Sequence, residues 1–165
     1  MNPFRVSAAL IGACLTAIAV AATAAVAAPA TTTAARADTT LSFHVTFRPF
    51  EQNYVDIGPA GPGIGDTIVF QDDITDTHAH KVGVEGGACT LTAVLTDSFQ
   101  IHCTGTISLP DGQIAYQGLA SNAPVKTLAV VGGTGPYTGA RGEAVLVELG
   151  HDHAGTLTIR LLPHD

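Results

Sequence analysis

Basic residues are scarce in this sequence, and their scarcity excludes two classes of partner. Seven lysines and arginines stand against fourteen aspartates and glutamates, which gives a net charge of −7. Such a chain is repelled by the phosphates of nucleic acids and by anionic membrane surfaces. We therefore expect neither nucleic acid nor membrane among the partners of the mature chain.

Helical patterns and the common catalytic motifs are also absent. Apolar residues alternate with a period of two almost everywhere, so no amphipathic helix is predicted. The sequence contains no nucleophile elbow, Walker loop, dinucleotide fingerprint or CxxC pair. The glycine-rich segment 130–143 is followed by a strand pattern rather than a helix, so we do not expect it to bind phosphate.

The first 37 residues have the pattern of a secretory signal. Arg5 precedes a long alanine-rich run, Val6 to Ala28, and a small-residue A-R-A motif precedes Asp38. This order is typical of a signal peptide. We expect residues 1–37 to be removed and residues 38–165 to be secreted as a single domain. A retained membrane anchor is the alternative, because the apolar run is long enough to span a bilayer.

Alternating residues predict eight strands joined mostly by short turns. The predicted strands are 41–48, 66–74, 81–95, 99–109, 113–120, 125–131, 141–149 and 156–162. This order favours an all-β fold, an eight-stranded antiparallel up-and-down barrel that leaves no strand edge exposed. Such a barrel holds side chains or one small ligand inside it. A β-sandwich is the alternative.

The register of one predicted hairpin brings two cysteines together. A turn centred on Thr96 pairs Cys89 with Cys103 and Phe99 with Ala93. Paired residues have Cβ atoms about 4.5–5.5 Å apart, which is close enough for a disulfide after slight adjustment. We predict a Cys89–Cys103 disulfide worth about 3 kcal/mol, as suits an exported protein.

The longest irregular segment runs from Pro49 to Gly65 and is rich in proline and glycine. Loops of this length in a compact domain are often functional. Strand parity places this loop at one barrel end and the glycine-rich segment at the other. We interpret the loop as a lid over a ligand pocket, with a disordered crossover as the alternative.

The segment 132–142, G-G-T-G-P-Y-T-G-A-R-G, resembles the G-G-T-G-x-[FY]-x-x-A-R-G signature of dirigent proteins and of the allene oxide cyclase barrel-like superfamily. The resemblance covers most of residues 41–162. It implies a barrel with an internal pocket, often assembled as a homodimer or homotrimer, and no cofactor. It also implies that the pocket guides a cyclisation, isomerisation or stereoselective coupling by restricting conformation. Pro136 stands where plant dirigents commonly carry an aspartate.

Four polar residues are the candidates for catalysis. If the apolar strand faces line the interior, Asp72, Tyr116, Arg141 and Glu143 point inward. Such a cluster can grip a ligand carbonyl or carboxylate, with a carboxyl group as acid or base. The alternatives are an Arg141–Glu143 salt bridge that pins the glycine corner and a Tyr116 that serves only core packing. Tyr137, the aromatic residue of the signature, is expected at the ligand pocket.

Two histidine pairs are weak candidates for a metal site. Histidines two apart on a strand share a face and could chelate a transition metal. However, strand parity places the two pairs at opposite barrel ends, and we expect no metal. The pairs are His78 with His80 and His151 with His153.

The sequence as a whole predicts a secreted barrel that binds a small hydrophobic molecule. If it is an enzyme, it is an isomerase or cyclase of the allene oxide cyclase type. The alternative is a non-catalytic, lipocalin-like binding or structural protein.

Overall fold

The computed structural model describes residues 38–48, 53–150 and 154–163. The predicted signal peptide and the pair His151 and His153 lie outside these ranges. No helix among the described residues is long and apolar enough to cross a membrane. The described elements are β1 (Thr39–Thr46), β2 (Asn53–Val55), β3 (Thr67–Thr75), β4 (Lys81–Val94), β5 (Phe99–Leu109), β6 (Gly112–Ser121), β7 (Val125–Gly133), a 3-10 helix (Gly135–Tyr137), β8 (Gly142–Glu148) and β9 (Ala154–Leu161).

The strands close into one antiparallel barrel. Each strand from β3 to β8 pairs with the strand that follows it. The last strand, β9, pairs with β1, and β1 also pairs with the end of β3, which closes the barrel. The predicted eight-stranded barrel is confirmed. The three-residue strand β2 pairs with the start of β3, where Tyr54 lies opposite Ile68. It lies inside the segment predicted as irregular. The strand was not predicted because three residues are too few to show an alternation of apolar and polar side chains.

The hairpin of β4 and β5 confirms the pairing of Cys89 with Cys103, and the two form a disulfide. The register shifts between Leu91 and Ala93, where β4 has one extra residue. Phe99 consequently pairs with Val94, and the predicted partner Ala93 is wrong. A β-bulge of this kind is not visible in an alternating pattern, because it breaks the alternation only locally.

One end of the barrel is filled with branched aliphatic side chains. Four isoleucines near the strand ends are completely inaccessible to solvent: Ile74, Ile107, Ile114 and Ile159. They pack this end of the barrel with apolar side chains, and we call it the closed end.

The glycine-rich corner lies at the closed end, between β7 and β8. Its backbone passes very near other backbone: a Cβ added at Gly142, where φ is +153°, would lie 1.9 Å from the carbonyl oxygen of Arg160. A Cβ at Gly133 would lie 2.6 Å from the Cβ of Tyr137. Glycine is therefore required at these two positions for the corner to form.

Candidate functional site

The opposite end of the barrel, which we call the open end, contains a cavity of about 300 Å³. Inward-facing side chains from six consecutive strands, β3 to β8, line it together with Phe47 and Gly150. Most of the lining is apolar, and the Cys89–Cys103 disulfide forms part of one wall. The polar lining residues are Asp72, Glu85, Tyr116, Lys126 and Glu148.

Glycines at inward positions let the ring of Tyr116 lie close to the barrel wall. Gly87 and Gly105 are cross-strand partners on β4 and β5, and Tyr116 lies opposite Gly105 on β6. A Cβ added at Gly105 would lie only 2.2 Å from the hydroxyl oxygen of Tyr116. The ring of Tyr116 therefore lies over bare backbone, and this position lets its hydroxyl group reach across to β4.

Two carboxylates and this tyrosine meet at the inner end of the cavity. Asp72 and Glu85 are cross-strand partners, and their exposed fractions are 2% and 3%. The Tyr116 hydroxyl donates a hydrogen bond to Oε1 of Glu85. The backbone N–H of Arg48 donates to Oδ1 of Asp72 at 3.0 Å. Because like charges directly opposite one another are destabilising, the pair favours a state in which one carboxyl group is protonated.

The environment of Glu85 favours its protonated form. Burial raises the pKa of Glu85 to about 7, the charge of Asp72 adds to the rise, and the hydrogen bond from Tyr116 partly offsets it. Burial, followed by the charge of Glu85, raises the pKa of Tyr116 above its usual range. Tyr116 therefore stays protonated as a donor, while Glu85 can gain or lose a proton near neutral pH.

A second polar pair lies nearer the mouth of the cavity. Nζ of Lys126, near the start of β7, lies 2.6 Å from Oε1 of Glu148, at the end of β8. Nζ also donates to the carbonyl oxygen of Ala123 at 3.1 Å. The lysine charge is thus neutralised by groups of the protein itself.

A buried aspartate organises the loop beside the open end. Asp66 accepts a hydrogen bond from the hydroxyl of Tyr54, and from the backbone N–H groups of Ile57 at 3.1 Å and Gly63 at 2.7 Å. These bonds lower the pKa of Asp66, and the bond from Tyr54 contributes most. The loop is therefore held by an ionised carboxylate at neutral pH.

Of the four predicted catalytic residues, two lie in the cavity and two do not. Asp72 and Tyr116 line it. Arg141 and Glu143 are exposed, so the prediction that they point inward is wrong. The sequence of β8, G-E-A-V-L-V-E, has apolar residues on both faces, and its even-numbered residues are the ones that face inward. The alternation therefore could not decide the face.

Neither Tyr137 nor the described part of the predicted lid, residues 53–65, lines the cavity. Tyr137 packs against the core at the closed end, with its hydroxyl 3.4 Å from Oδ1 of Asp111, so its predicted place at the pocket is wrong. Its physical role is to fill the glycine corner. Since residues 49–52 lie outside the described ranges, the lid remains a prediction.

Sequence reasoning missed three polar residues of the cavity, Glu85, Lys126 and Glu148. A signal for Glu85 was present, because it lies four residues before Cys89 and side chains at even spacing share a face of a strand. Lys126 lies two residues before the buried Leu128 and therefore shares its face of the strand. Both residues lie within predicted strands, 81–95 and 125–131, where each interrupts a face that carries apolar residues.

The first histidine pair lies in the exposed turn between β3 and β4. Nδ1 of His80 is 3.3 Å from Oδ2 of Asp76, and the backbone N–H of His78 donates to Oδ1 of the same aspartate. In the part of the chain that the structure describes, no three histidine, cysteine or acidic side chains are grouped to hold a metal ion. His151 and His153 lie outside that part, and the expectation of no metal stays a prediction.

Comparisons with known proteins agree with this architecture. Among solved structures, the chain is similar to pyocyanin demethylase, with 28% identity and a TM-score of 0.68 over 74% of this chain and 99% of that one. It also shares its fold with an exo-specific intermolecular Diels-Alderase, at 17% identity and a TM-score of 0.61 over 76% of this chain and 98% of that one. A pterocarpan synthase dirigent protein gives 18% identity and a TM-score of 0.61, covering 79% and 98% of the two chains.

A search of curated proteins found no match. The model of one protein family, described as the allene oxide cyclase barrel like domain, matches residues 39–160. This match spans well over half of the sequence and includes every described strand except the last residue of β9. The chain belongs to the family of allene oxide cyclase barrel-like domains.

Proposed function

We propose that this chain is a secreted protein that binds a small hydrophobic molecule in its barrel and guides a cofactor-free cyclisation or isomerisation. The observation that carries the proposal is the cavity of about 300 Å³ with a buried pair of carboxyl groups at its inner end. Ligand sites in proteins start at about this volume and combine apolar walls with a few convergent polar groups. A compound of two or three rings fits the space.

The walls and the polar cluster have different tasks. The apolar side chains and the disulfide hold a flexible reactant in the conformation that closes the ring, which removes an entropic part of the barrier. Protonated Glu85 donates its proton to an oxygen or nitrogen atom on which negative charge develops. The resulting carboxylate then takes a proton from the cyclised product, so the product is an isomer of the reactant. Tyr116 keeps the Glu85 carboxyl group in place, and the neighbouring Asp72 keeps it a ready proton acceptor.

Two further observations support the proposal. A disulfide in the barrel wall suits a protein that works outside the cytoplasm, in agreement with the signal-like pattern of residues 1–37. Pyocyanin demethylase, the 28% identical neighbour, is named for a small-molecule substrate. The neighbours below 25% identity support the barrel alone.

The proposed function is tested by looking for the conversion of a compound into an isomer of the same mass. Culture extracts from a strain lacking the gene are incubated with the purified protein and analysed by liquid chromatography and mass spectrometry. We expect one compound to be replaced by a product of the same mass and different retention time. The Glu85→Gln variant should slow this conversion at least about a hundredfold, as is usual when a general acid or base is lost.

The matched control is Asp97→Asn, which changes an exposed carboxylate in the turn between β4 and β5. It should convert the compound at the wild-type rate. A wild-type rate in Glu85→Gln would refute the role of Glu85. A compound that copurifies with the protein and is returned unchanged would instead favour the non-catalytic binding protein.

A further inference from the structure

Glu85 is deeply buried, yet one of its carboxyl oxygens opens onto the cavity. Among the described residues its hydrogen-bond partner is Tyr116, which donates to Oε1. Every fully buried side-chain nitrogen or oxygen of the described residues has a hydrogen-bond partner. Because Oε2 has none, it is not fully buried, and the accessible space beside Glu85 is the cavity that it lines. A ligand that fills the cavity therefore meets Oε2.

The charged groups around this oxygen are acidic. Asp72, which lies directly opposite on β3, and Tyr116, from β6, are the titratable groups that face Glu85. The ionised side chains that line the cavity are otherwise Lys126 and Glu148, which neutralise each other near the mouth. The guanidinium group of Arg48 binds Asp73, whose side chain points away from the cavity. The polar side chains that line the inner end of the cavity are therefore two carboxyl groups and a phenol, whereas the lysine of the lining lies near the mouth.

We infer that the ligand of this cavity carries a basic nitrogen on one edge of an apolar, ring-sized body, and that this nitrogen takes up the proton of Glu85 and is then held by Oε2 of the resulting carboxylate. The inference rests on the proposed function and specifies its substrate class. A charge-assisted hydrogen bond between a protonated amine and a carboxylate is about twice as strong as a neutral one. A ligand carboxylate placed there would face Asp72 and leave a buried charge without a partner, so acids are disfavoured.

Three compounds with one ring system and different charge test this inference. We would measure the binding of 1-naphthylmethylamine, 1-naphthylmethanol and 1-naphthoate to the secreted form of the chain by calorimetry at pH 8. The amine should bind about tenfold more tightly than the alcohol, which corresponds to about 1.4 kcal/mol. The carboxylate should bind most weakly. The Glu85→Gln variant should bind amine and alcohol equally, whereas Asp97→Asn should keep the wild-type order.

The wild-type protein provides a second readout that does not depend on the folding of a variant. Lowering the pH from 8 to 5.5 protonates Glu85, so the amine should lose its advantage while the affinity for the alcohol stays constant. Equal affinities of all three compounds at pH 8, or a preference for the carboxylate, would overturn this inference and leave the proposed pocket intact. Failure of all three compounds to bind would overturn both.

Discussion

The two ends of the barrel are built from the same strands but are filled differently. At the closed end, inward positions carry isoleucine, and the chain turns through a corner in which glycines allow backbone to meet backbone. At the open end, apolar side chains surround an empty space, and polar residues among them supply proton donors and acceptors. Glycine thus lets backbone meet backbone at one end and lets the ring of Tyr116 lie against the barrel wall beside the cavity.

This difference explains why the family signature and the candidate chemistry occupy separate places. The signature residues 132–142 form the corner at the closed end, where backbone geometry requires Gly133 and Gly142. Glu85 and Asp72, the groups able to move protons, lie on β3 and β4, outside that signature. Members of one fold can therefore keep the corner and change the reaction, since function depends on the site rather than on the fold.

The largest effect is expected from Gly142→Ala at the closed end. The added Cβ would lie 1.9 Å from the carbonyl oxygen of Arg160, at a φ of +153° that other residues rarely adopt. Because backbone must move, the free energy of unfolding should fall by roughly 3 kcal/mol or more. Urea denaturation measures it. Gly132→Ala is the control from the same signature, since nothing lies within 4 Å of its added Cβ, and a comparable loss there would contradict the argument.

The next effect concerns the carboxyl pair of the open end and depends on pH. The pKa of Glu85 is raised from an ordinary 4.5 to about 7 in the folded state. A group whose pKa is higher in the folded state stabilises the fold. The full contribution is present at a pH below the pKa of the unfolded state, and it is lost as the pH rises through the pKa of the folded state. Wild-type protein should therefore lose roughly 2 to 3 kcal/mol from this group between pH 5 and pH 8. The amide of Glu85→Gln does not titrate in this range, so the variant should not show this loss of stability.

Denaturation of both proteins at pH 5 and pH 8 checks this prediction. The stability of Glu85→Gln relative to wild type should rise by the amount that wild type loses. The Asp97→Asn variant, changed at an exposed turn, should follow the wild-type curve. A difference between Glu85→Gln and wild type that is independent of pH would mean that Glu85 and Asp72 are not held together in a buried pair.

Alternating residues were sufficient to predict the barrel, its strand order and the disulfide. These depend on one rule, that inward residues are apolar and recur every second position, which the strand of Leu41 to Phe47 follows without exception. The rule also placed Asp72 and Tyr116 correctly, because both stand among clear apolar neighbours. It placed the loop and the glycine corner at opposite ends, but it did not say which end was hollow.

The same rule failed where both faces of a strand are apolar or where a residue serves a corner. In β8 the valines face outward and the leucine inward, so Arg141 and Glu143 were assigned to the wrong face. Tyr137 was assigned to the pocket because an aromatic residue in a signature suggests a ligand. Which end of the barrel is hollow depends on the sum of side-chain volumes in each layer, which requires the strand register.

The smallest effect on stability is expected from Gly105→Ala at the open end. This variant is also the most direct comparison with Gly142→Ala, because both add a Cβ where glycine allows a close approach. The added Cβ would lie 2.2 Å from the hydroxyl oxygen of Tyr116. A side chain can move where backbone cannot, so the ring should swing into the cavity at a cost of roughly 2 kcal/mol.

The displaced hydroxyl can no longer donate to Glu85, and the ring occupies the volume that a ligand needs. We therefore expect Gly105→Ala to remain folded but to bind 1-naphthylmethanol at least about tenfold more weakly, a change of about 1.4 kcal/mol. Thermal unfolding and calorimetry on the same sample separate the two effects. Gly86→Ala is the control, because its Cβ would meet only the carbonyl oxygen of Phe70 at 3.7 Å. If Gly105→Ala bound the alcohol as tightly as Gly86→Ala, the part of the cavity beside Tyr116 would not belong to the ligand site.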